Sequence, residues 1–327
     1  MKAVIIGYGS IGKRHCKNLS KFKDIQCFVV TNRKRINLPS KNFQKFNSLD
    51  ECLKSHPDIG FITNVTSSHI DVATKLVKAN CHVFIEKPLS NSMKGVKKLE
   101  NLIHKKQLVS TIGCVMRFHP CLKKIKELIS KGEIGKILYA RMENGSYMPD
   151  WHRKENYRKS YASRKELGGG VVFTCIHEID YLFWLFGSVR ECYSITRKLS
   201  DLEINVDDLS SILLQFKNDV VAEIHLDYFQ RPSFRSCKIV GTKGTIYWDS
   251  DSNSVRTYDI NKKRWKSRLL IKKYNINNMY LNEMAHFLDC VKTNKQTIND
   301  INQGVQTLEI ALAIQKSSKN KKAEIFR

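Results

Sequence analysis

The chain has 327 residues, 42% of them apolar, which is enough for two packed domains of ordinary size and marks a globular protein. Its formal charge of +25 raises the question of nucleic acid, but the lysines are spread along the whole length among Asn and Ile, without a zinc finger, an RNA-binding aromatic strand or a basic-region heptad. We read a solvated basic surface whose general field favours an anionic cofactor or substrate, and expect no nucleic-acid partner.

No apolar run approaches the ~20 residues needed to cross a bilayer, so no membrane partner is expected. Met1 to Gly7 reads as a buried strand and not as a secretory leader, which leads to the expectation of a cytoplasmic protein. The ten cysteines are scattered without a Cys-x-x-Cys pair and read as reduced structural thiols, neither disulfides nor zinc ligands.

In chain order, the first third alternates strands at 3–6, 25–30, 59–62, 82–85 and 109–115 with helices at 11–19, 49–54, 69–79 and 93–105. Such alternation predicts an α/β, doubly wound parallel sheet with ligands beyond the carboxyl ends of its strands. From about Arg117 the pattern changes. A helix at 120–130, a strand at 136–144, an aromatic and basic loop, the Gly168-Gly169-Gly170 turn and a long helix at 174–186 come next. Strand-like runs follow at 191–197, 209–216, 220–228, 236–240 and 245–248, some separated by tight turns such as Lys217-Asn218-Asp219. The expected second domain is α+β with an open, mainly antiparallel sheet; 249–278 reads as irregular loop and edge strand, and helices at 279–292 and 301–316 end the chain. The expected division is a dinucleotide-binding domain at 1–118 and a substrate-binding and oligomerisation domain at 119–327.

Gly7-x-Gly9-x-x-Gly12 sits between the first strand and the first helix. Glycines at this spacing allow a tight turn, close backbone approach to a pyrophosphate and close packing of helix on strand; Ser10 and Ile11 complete the phosphate-facing turn. About 20 residues on, where an acidic side chain normally accepts from the adenosine ribose of NAD, the chain reads Val30-Thr31-Asn32-Arg33-Lys34-Arg35. The basic cluster favours the ribose phosphate of NADP, with Thr31 and Arg33 as contacts; Asn32 could serve a plain ribose, which keeps NAD open. Glu86-Lys87-Pro88 ends the fourth strand, and Pro88 disfavours helical angles at Lys87, placing a lysine at the carboxyl edge of the sheet.

Taken together, the glycine motif, Asn64-Val65-Thr66-Ser67-Ser68-His69, Glu86-Lys87-Pro88, Arg117-Phe118-His119-Pro120 and Gly168-Gly169-Gly170 with His177 and Asp180 resemble the glucose-fructose oxidoreductase / inositol dehydrogenase / rhizopine catabolism family over nearly the whole chain. The resemblance implies a Rossmann domain followed by the α+β domain, and hydride transfer between a nicotinamide and a carbinol or keto carbon of a sugar, sugar acid or nucleotide sugar. Lys87 would give or take the hydroxyl proton, a role that needs a pKa near the working pH. His177 would relay or orient that proton. His69 would sit near the nicotinamide edge and Asn64 by the cofactor, although His69 could equally be a helix-start residue and Asn64 a backbone contact; Glu86 would lie by the cofactor, and Arg117 would fix substrate or a cofactor phosphate, or else anchor the interdomain linker. Trp151, His152, Tyr157, Arg158, Tyr161, Thr174 and Asp180 would line the sugar site, several of them alternatively clamping a loop.

More narrowly, Tyr147-Met148-Pro149-Asp150-Trp151-His152, Tyr157-Arg158-Lys159-Ser160-Tyr161 and His177-Glu178-Ile179-Asp180-Tyr181 resemble the branch associated with nonulosonic acid and surface-polysaccharide pathways. Relatives associate through the open sheet, so the resemblance implies a homodimer or homotetramer. One departure stands out. Many relatives carry an aspartate four residues before the histidine, where this chain has Phe173; with the segment one residue shorter, Thr174 aligns there and cannot carry its charge. An alternative reading is therefore an NADP-binding protein with impaired catalysis and a structural or sensing role.

Overall fold

Short apolar runs buried on both faces make the centre of the first sheet: Lys2–Ile6 (β1), followed by helix Ser10–Leu19 (α1) and strand Gln26–Val30 (β2). Strand Phe43–Phe46 (β3), helix Leu49–Leu53 (α2), strand Ile59–Ile62 (β4), helix His69–Lys78 (α3), strand His82–Glu86 (β5), helix Val96–Lys105 (α4) and strand Ser110–Gly113 (β6) complete the series. The strands pair in parallel in the order β3-β2-β1-β4-β5-β6, the doubly wound arrangement that the alternation predicts. β3 has no counterpart in the sequence reading. It is a short polar edge strand whose only apolar side chains, Phe43 and Phe46, give too little alternation to register.

These elements come from a computed structural model that describes residues 1–151 and 155–326. The chain divides into two units, Met1–Cys114 with Tyr280–Leu308 and Val115–Met279 with Glu309–Arg327. These units differ from the expected linear division at 118 in that residues 280–308 return to the first unit. The physical reason is apolar: Phe61 and Phe84 stack at 5.1 Å, and Phe287 meets both edge-on at 5.7 Å. Met284 and Leu288 are buried in the same cluster. The returning chain also covers β6. Ile112 N–H donates to Asn299 O (2.8 Å), Asn299 Nδ2 to Ile112 O (2.7 Å) and Thr297 Oγ1 to Ser110 O (2.7 Å), satisfying an otherwise open sheet edge.

The second unit contains helix Pro120–Ser130 (α5), strand Ile137–Gly145 (β7), and helices Val171–Thr174 (α6) and His177–Phe186 (α7). Strands Val189–Arg197 (β8), Leu209–Phe216 (β9), Val221–Asp227 (β10), Phe234–Gly241 (β11) and Gly244–Asp249 (β12) follow. The expected long helix is broken between Thr174 and His177. The stretch read as irregular instead forms a hairpin, Ser254–Asp259 (β13) and Arg264–Leu270 (β14). Its second strand is exposed on both faces, so no apolar alternation announces it. Helices Asn277–Thr293 (α8) and Ile301–Asn320 (α9) and strand Glu324–Ile325 (β15) end the chain.

The nine-stranded sheet runs β14-β13-β12-β11-β7-β10-β9-β8-β15, antiparallel throughout except for the β7–β10 pair. Alternating burial along β9 and β10 shows one face packed and one open. The cysteines are buried, and burial pushes the thiols of Cys16, Cys27, Cys121 and Cys192 up to about 12. Among the described residues no single helix is long and apolar enough to cross a membrane.

Candidate active site

Strand register fixes the site of the first unit. Ile6 pairs with Val30 and Ile62, and Ile62 with Ile85, so Gly7, Thr31, Thr63 and Glu86 follow one another along the carboxyl edge of the sheet. A Cβ on Gly12 would lie 2.3 Å from Gly7 O and 2.8 Å from Thr63 Oγ1, so only glycine lets α1 pack this closely on the edge. Gly7 has φ +100°, whereas a Cβ on Gly9 would meet nothing within 4 Å. Gly9 is also the N-cap of α1 and makes no side-chain capping bond, leaving first-turn N–H groups for an anion. Space at Gly9 beside tight packing at Gly12 fits the pyrophosphate of a dinucleotide. Ser10 is exposed and Ile11 half-buried at the start of the helix.

Thr31 is half-buried and its Oγ1 accepts from Arg33 N–H (3.3 Å), while Asn32, Arg33, Lys34 and Arg35 are exposed. Asn64 Oδ1 is a buried acceptor with no hydrogen-bond partner among the described residues, as a cofactor contact requires. His69 opens α3. It is 1% exposed, and its ring bridges two main-chain carbonyls, Nδ1 to Pro88 O (2.9 Å) and Nε2 to Asn64 O (3.2 Å). Burial lowers its pKa. The ring therefore braces the loops after β4 and β5.

Lys87 is half-buried at the end of β5, beside the buried Glu86. Glu86 Oε1 lies 2.7 Å from Nε2 of His15, which is wholly buried, and Glu86 Oε2 accepts from Lys87 N–H (3.3 Å). Glu86 thus supports the end of β5 from within, beside the cofactor contact expected of it. Sequence reasoning missed two neighbours here. His15 lies one helical turn beyond the glycine motif, and Tyr280 carries no motif at all. The Tyr280 pKa is raised by burial and by Glu86, against lowering by Arg14 and Lys87, which puts the phenol within electrostatic reach of the lysine.

In the second unit Arg117 and Asp180 are both 0% exposed and form a two-point pair, Nε to Oδ2 at 2.9 Å and Nη2 to Oδ1 at 2.8 Å. The pair ties Val115–Phe118 to α7, a structural role beside the expected ones of Arg117 toward cofactor or substrate and of Asp180 toward substrate. Glu178, also buried, pairs with Arg235 Nε (2.8 Å) and accepts from Asn144 Nδ2 (3.2 Å). His177 opens α7 and is 9% exposed; Thr174 ends α6 at 8%. The glycine turn positions them. Gly168 and Gly170 have φ +85° and +113°, and a Cβ on Gly169 would lie 2.3 Å from Tyr161 O.

Next to the Glu178–Arg235 pair a cleft of about 420 Å³ opens, lined by His119, Asn144, Ser146, Trp151, Arg235 and Trp248 among others. Trp151 Nε1 donates to Ser146 Oγ (2.8 Å) and its ring meets Tyr228 edge-on at 5.1 Å. Burial, and then Arg235, push the His119 pKa down to about 4, so its imidazole is neutral at pH 7. Aromatic faces beside amide, hydroxyl and imidazole groups suit a sugar ring. Of the expected sugar-site residues that are described, only Trp151 lines this cleft. Arg158 is exposed and paired with Glu203 (2.6 Å), and Tyr157 OH accepts from Glu203 N–H (3.4 Å), so both hold a loop. Tyr161 is half-buried against Gly169, and His152 lies outside the described residues. Asn144, Arg235, His119 and Trp248 were missed, because each stands in an ordinary strand or cap pattern with only its register to mark it.

Two family models match the chain: "Oxidoreductase family, NAD-binding Rossmann fold" over residues 1–114 and "Oxidoreductase family, C-terminal alpha/beta domain" over 126–325. The chain is 27% identical to the uncharacterized oxidoreductase YrbE of Bacillus subtilis (strain 168), over 96% of this chain and 93% of that protein. It is 24% identical to the myo-inositol 2-dehydrogenase of Thermotoga maritima, over 99% and 98%. Among solved structures, levoglucosan dehydrogenase in complex with NADH superposes with a TM-score of 0.89 at 16% identity, covering 100% of this chain and 99% of that one.

Proposed function

Because the chain belongs to the Gfo/Idh/MocA oxidoreductase family, we propose that it is a nicotinamide-dependent sugar dehydrogenase or reductase in which Lys87 moves the proton of the reacting hydroxyl or carbonyl group. The observation that carries this reading is the shared sheet edge, where the open turn at Gly9 and Lys87 follow strands of one register. Gly7, Gly9, Ser10, Ile11 and Gly12 would hold the pyrophosphate, and Asn64 the nicotinamide half. Thr31, Asn32 and Arg33 would hold the adenosine end. The cofactor, when bound, supplies or takes up the hydride.

Lys87, as an amine, accepts the hydroxyl proton during oxidation and, as an ammonium, returns it during reduction. His177 assists by relaying that proton. The cleft beside Trp151 and Arg235, in the second unit, has a lining that suits a sugar, sugar acid or nucleotide sugar. The basic Arg33–Lys34–Arg35 cluster supports NADP over NAD, although the levoglucosan dehydrogenase was solved with NADH. A place in surface-glycan or nonulosonic acid synthesis is the finer part of the proposal and rests on the segments 147–152, 157–161 and 177–181 alone. The proposal also takes the protein to be cytoplasmic and a homodimer or homotetramer. Supporting association, Tyr193, Ile195, Leu213 and Val221 are exposed at 41%, 49%, 47% and 39% on neighbouring strands of the open sheet face.

Thr174 in place of a carboxylate favours the second reading, a cofactor-binding protein without turnover. Nicotinamide absorbance on mixing the protein with NADPH or NADH and a panel of keto sugars, sugar acids and nucleotide sugars separates the two. Turnover that falls by about 10³-fold in Lys87→Met supports the enzyme. Tight cofactor binding without turnover, and no product by mass analysis, supports the non-catalytic reading.

A further inference from the structure

His15 lies on α1, three residues after the last glycine of the phosphate turn, and is 0% exposed. Its ring is wedged between Phe61, at a centroid distance of 5.5 Å, and the edge of Phe84, at 5.1 Å. Nε2 is thereby aimed at Glu86 Oε1, 2.7 Å away. A buried carboxylate without donors is costly, so this contact decides where the Glu86 side chain rests. Glu86 faces Gly113 across β5 and β6, and a Cβ there would lie 3.1 Å from Oε2, so the glycine opposite leaves room for that rotamer. The same Oε2 accepts from Lys87 N–H at 3.3 Å.

We propose that His15 is a positioning residue for Lys87: it fixes the Glu86 carboxylate, which fixes the main chain from which the lysine projects. The inference rests on the reading of Lys87 as the proton-transfer group. Through this chain of contacts the helix that carries the phosphate turn and the lysine are held by one rigid unit, although 71 residues separate His15 from Glu86. No part of the contact involves a group that would touch sugar, so its effect falls on placement and not on binding.

The test compares His15→Leu, His15→Gln and Glu86→Gln in the full chain. Amide hydrogen exchange at Lys87 is read without substrate, alongside cofactor Kd, KM and kcat. In His15→Leu the Lys87 amide is expected to exchange at least ~10-fold faster while the β1 amides are unchanged, because an amide released from its acceptor opens locally. kcat is expected to fall by about 10–100-fold with KM and cofactor Kd within about two-fold, the signature of a displaced reacting group. His15→Gln can still offer an N–H to the carboxylate and is expected to restore most of both. Glu86→Gln keeps the shape, weakens the acceptor and serves if the leucine variant does not fold.

Unchanged exchange at Lys87 in His15→Leu and in Glu86→Gln would overturn the proposal. So would equal losses in the leucine and glutamine variants that track loss of cofactor affinity. If wild-type protein shows no Lys87-dependent turnover, the reading of Lys87 fails on that result, and the exchange measurement alone decides whether His15 holds its main chain.

Discussion

At the carboxyl edge of the parallel sheet the N–H groups around Gly9 have no side-chain cap, the buried Asn64 Oδ1 has no hydrogen-bond partner among the described residues, and Lys87 is half-buried. Around α7 the treatment of charge is the reverse. Arg117, Asp180 and Glu178 are 0% exposed and engaged in ion pairs, and that helix is buried on nearly every side. Motif residues thus do different work in the two regions. The first displays chemistry on a frame of apolar strands; the second uses charged motif residues as the frame itself, because a buried ion pair imposes one geometry where apolar contact tolerates several.

That contrast breaks first at the buried pair. Arg117→Met or Asp180→Asn strands one partner, and each is expected to lower stability by about 3–5 kcal/mol in urea titration, with partial recovery when Arg117→Met is combined with Asp180→Leu. A loss below about 1 kcal/mol, the size of an exposed pair, would remove the pair from the frame.

The next effect is in pH. The folded pKa of His119, about 4, lies below its unfolded value near 6.5, so the unfolded chain takes up the proton first as pH falls. Stability fully present above about 6.5 is therefore lost progressively down to about 4, on the order of 3 kcal/mol. His119→Asn keeps a side-chain acceptor at the N-cap of α5 and is expected to flatten the slope of stability against pH in that window; an unaltered slope would assign the acid sensitivity elsewhere.

Two glycines sharpen the comparison within the first region. Gly12→Ala forces a Cβ toward Gly7 O and is expected to cost about 1–3 kcal/mol of stability. Gly9→Ala meets no atom within 4 Å, so the melting temperature should hold while cofactor affinity, followed by quenching of protein fluorescence, falls at least ~10-fold. Equal effects of the two would mean that Gly9 does not face a phosphate. The smallest effect is at Arg158. Its pairing with Glu203 is solvent-exposed, so Arg158→Ala should leave the melting temperature unchanged, and a large rise in KM would restore it to the sugar site.

Much of the first region was legible because its determinants are local. A glycine turn, a run of β-branched residues and a proline after lysine each restrict the backbone where they stand, so the parallel sheet, the phosphate turn and the position of Lys87 follow from neighbours in sequence. The sequence by itself also determined the second architecture, since the strand periodicity from β8 to β12 survives in the open sheet. What only the tertiary structure decided is which polar groups meet. Arg117 finds Asp180 63 residues away, His15 finds Glu86 71 residues away, and residues 280–308 return to cover Phe61, Phe84 and the edge of β6. Such partners are chosen by the path of the chain and the desolvation cost of leaving a buried charge alone, and neither quantity is carried by any short stretch of residues.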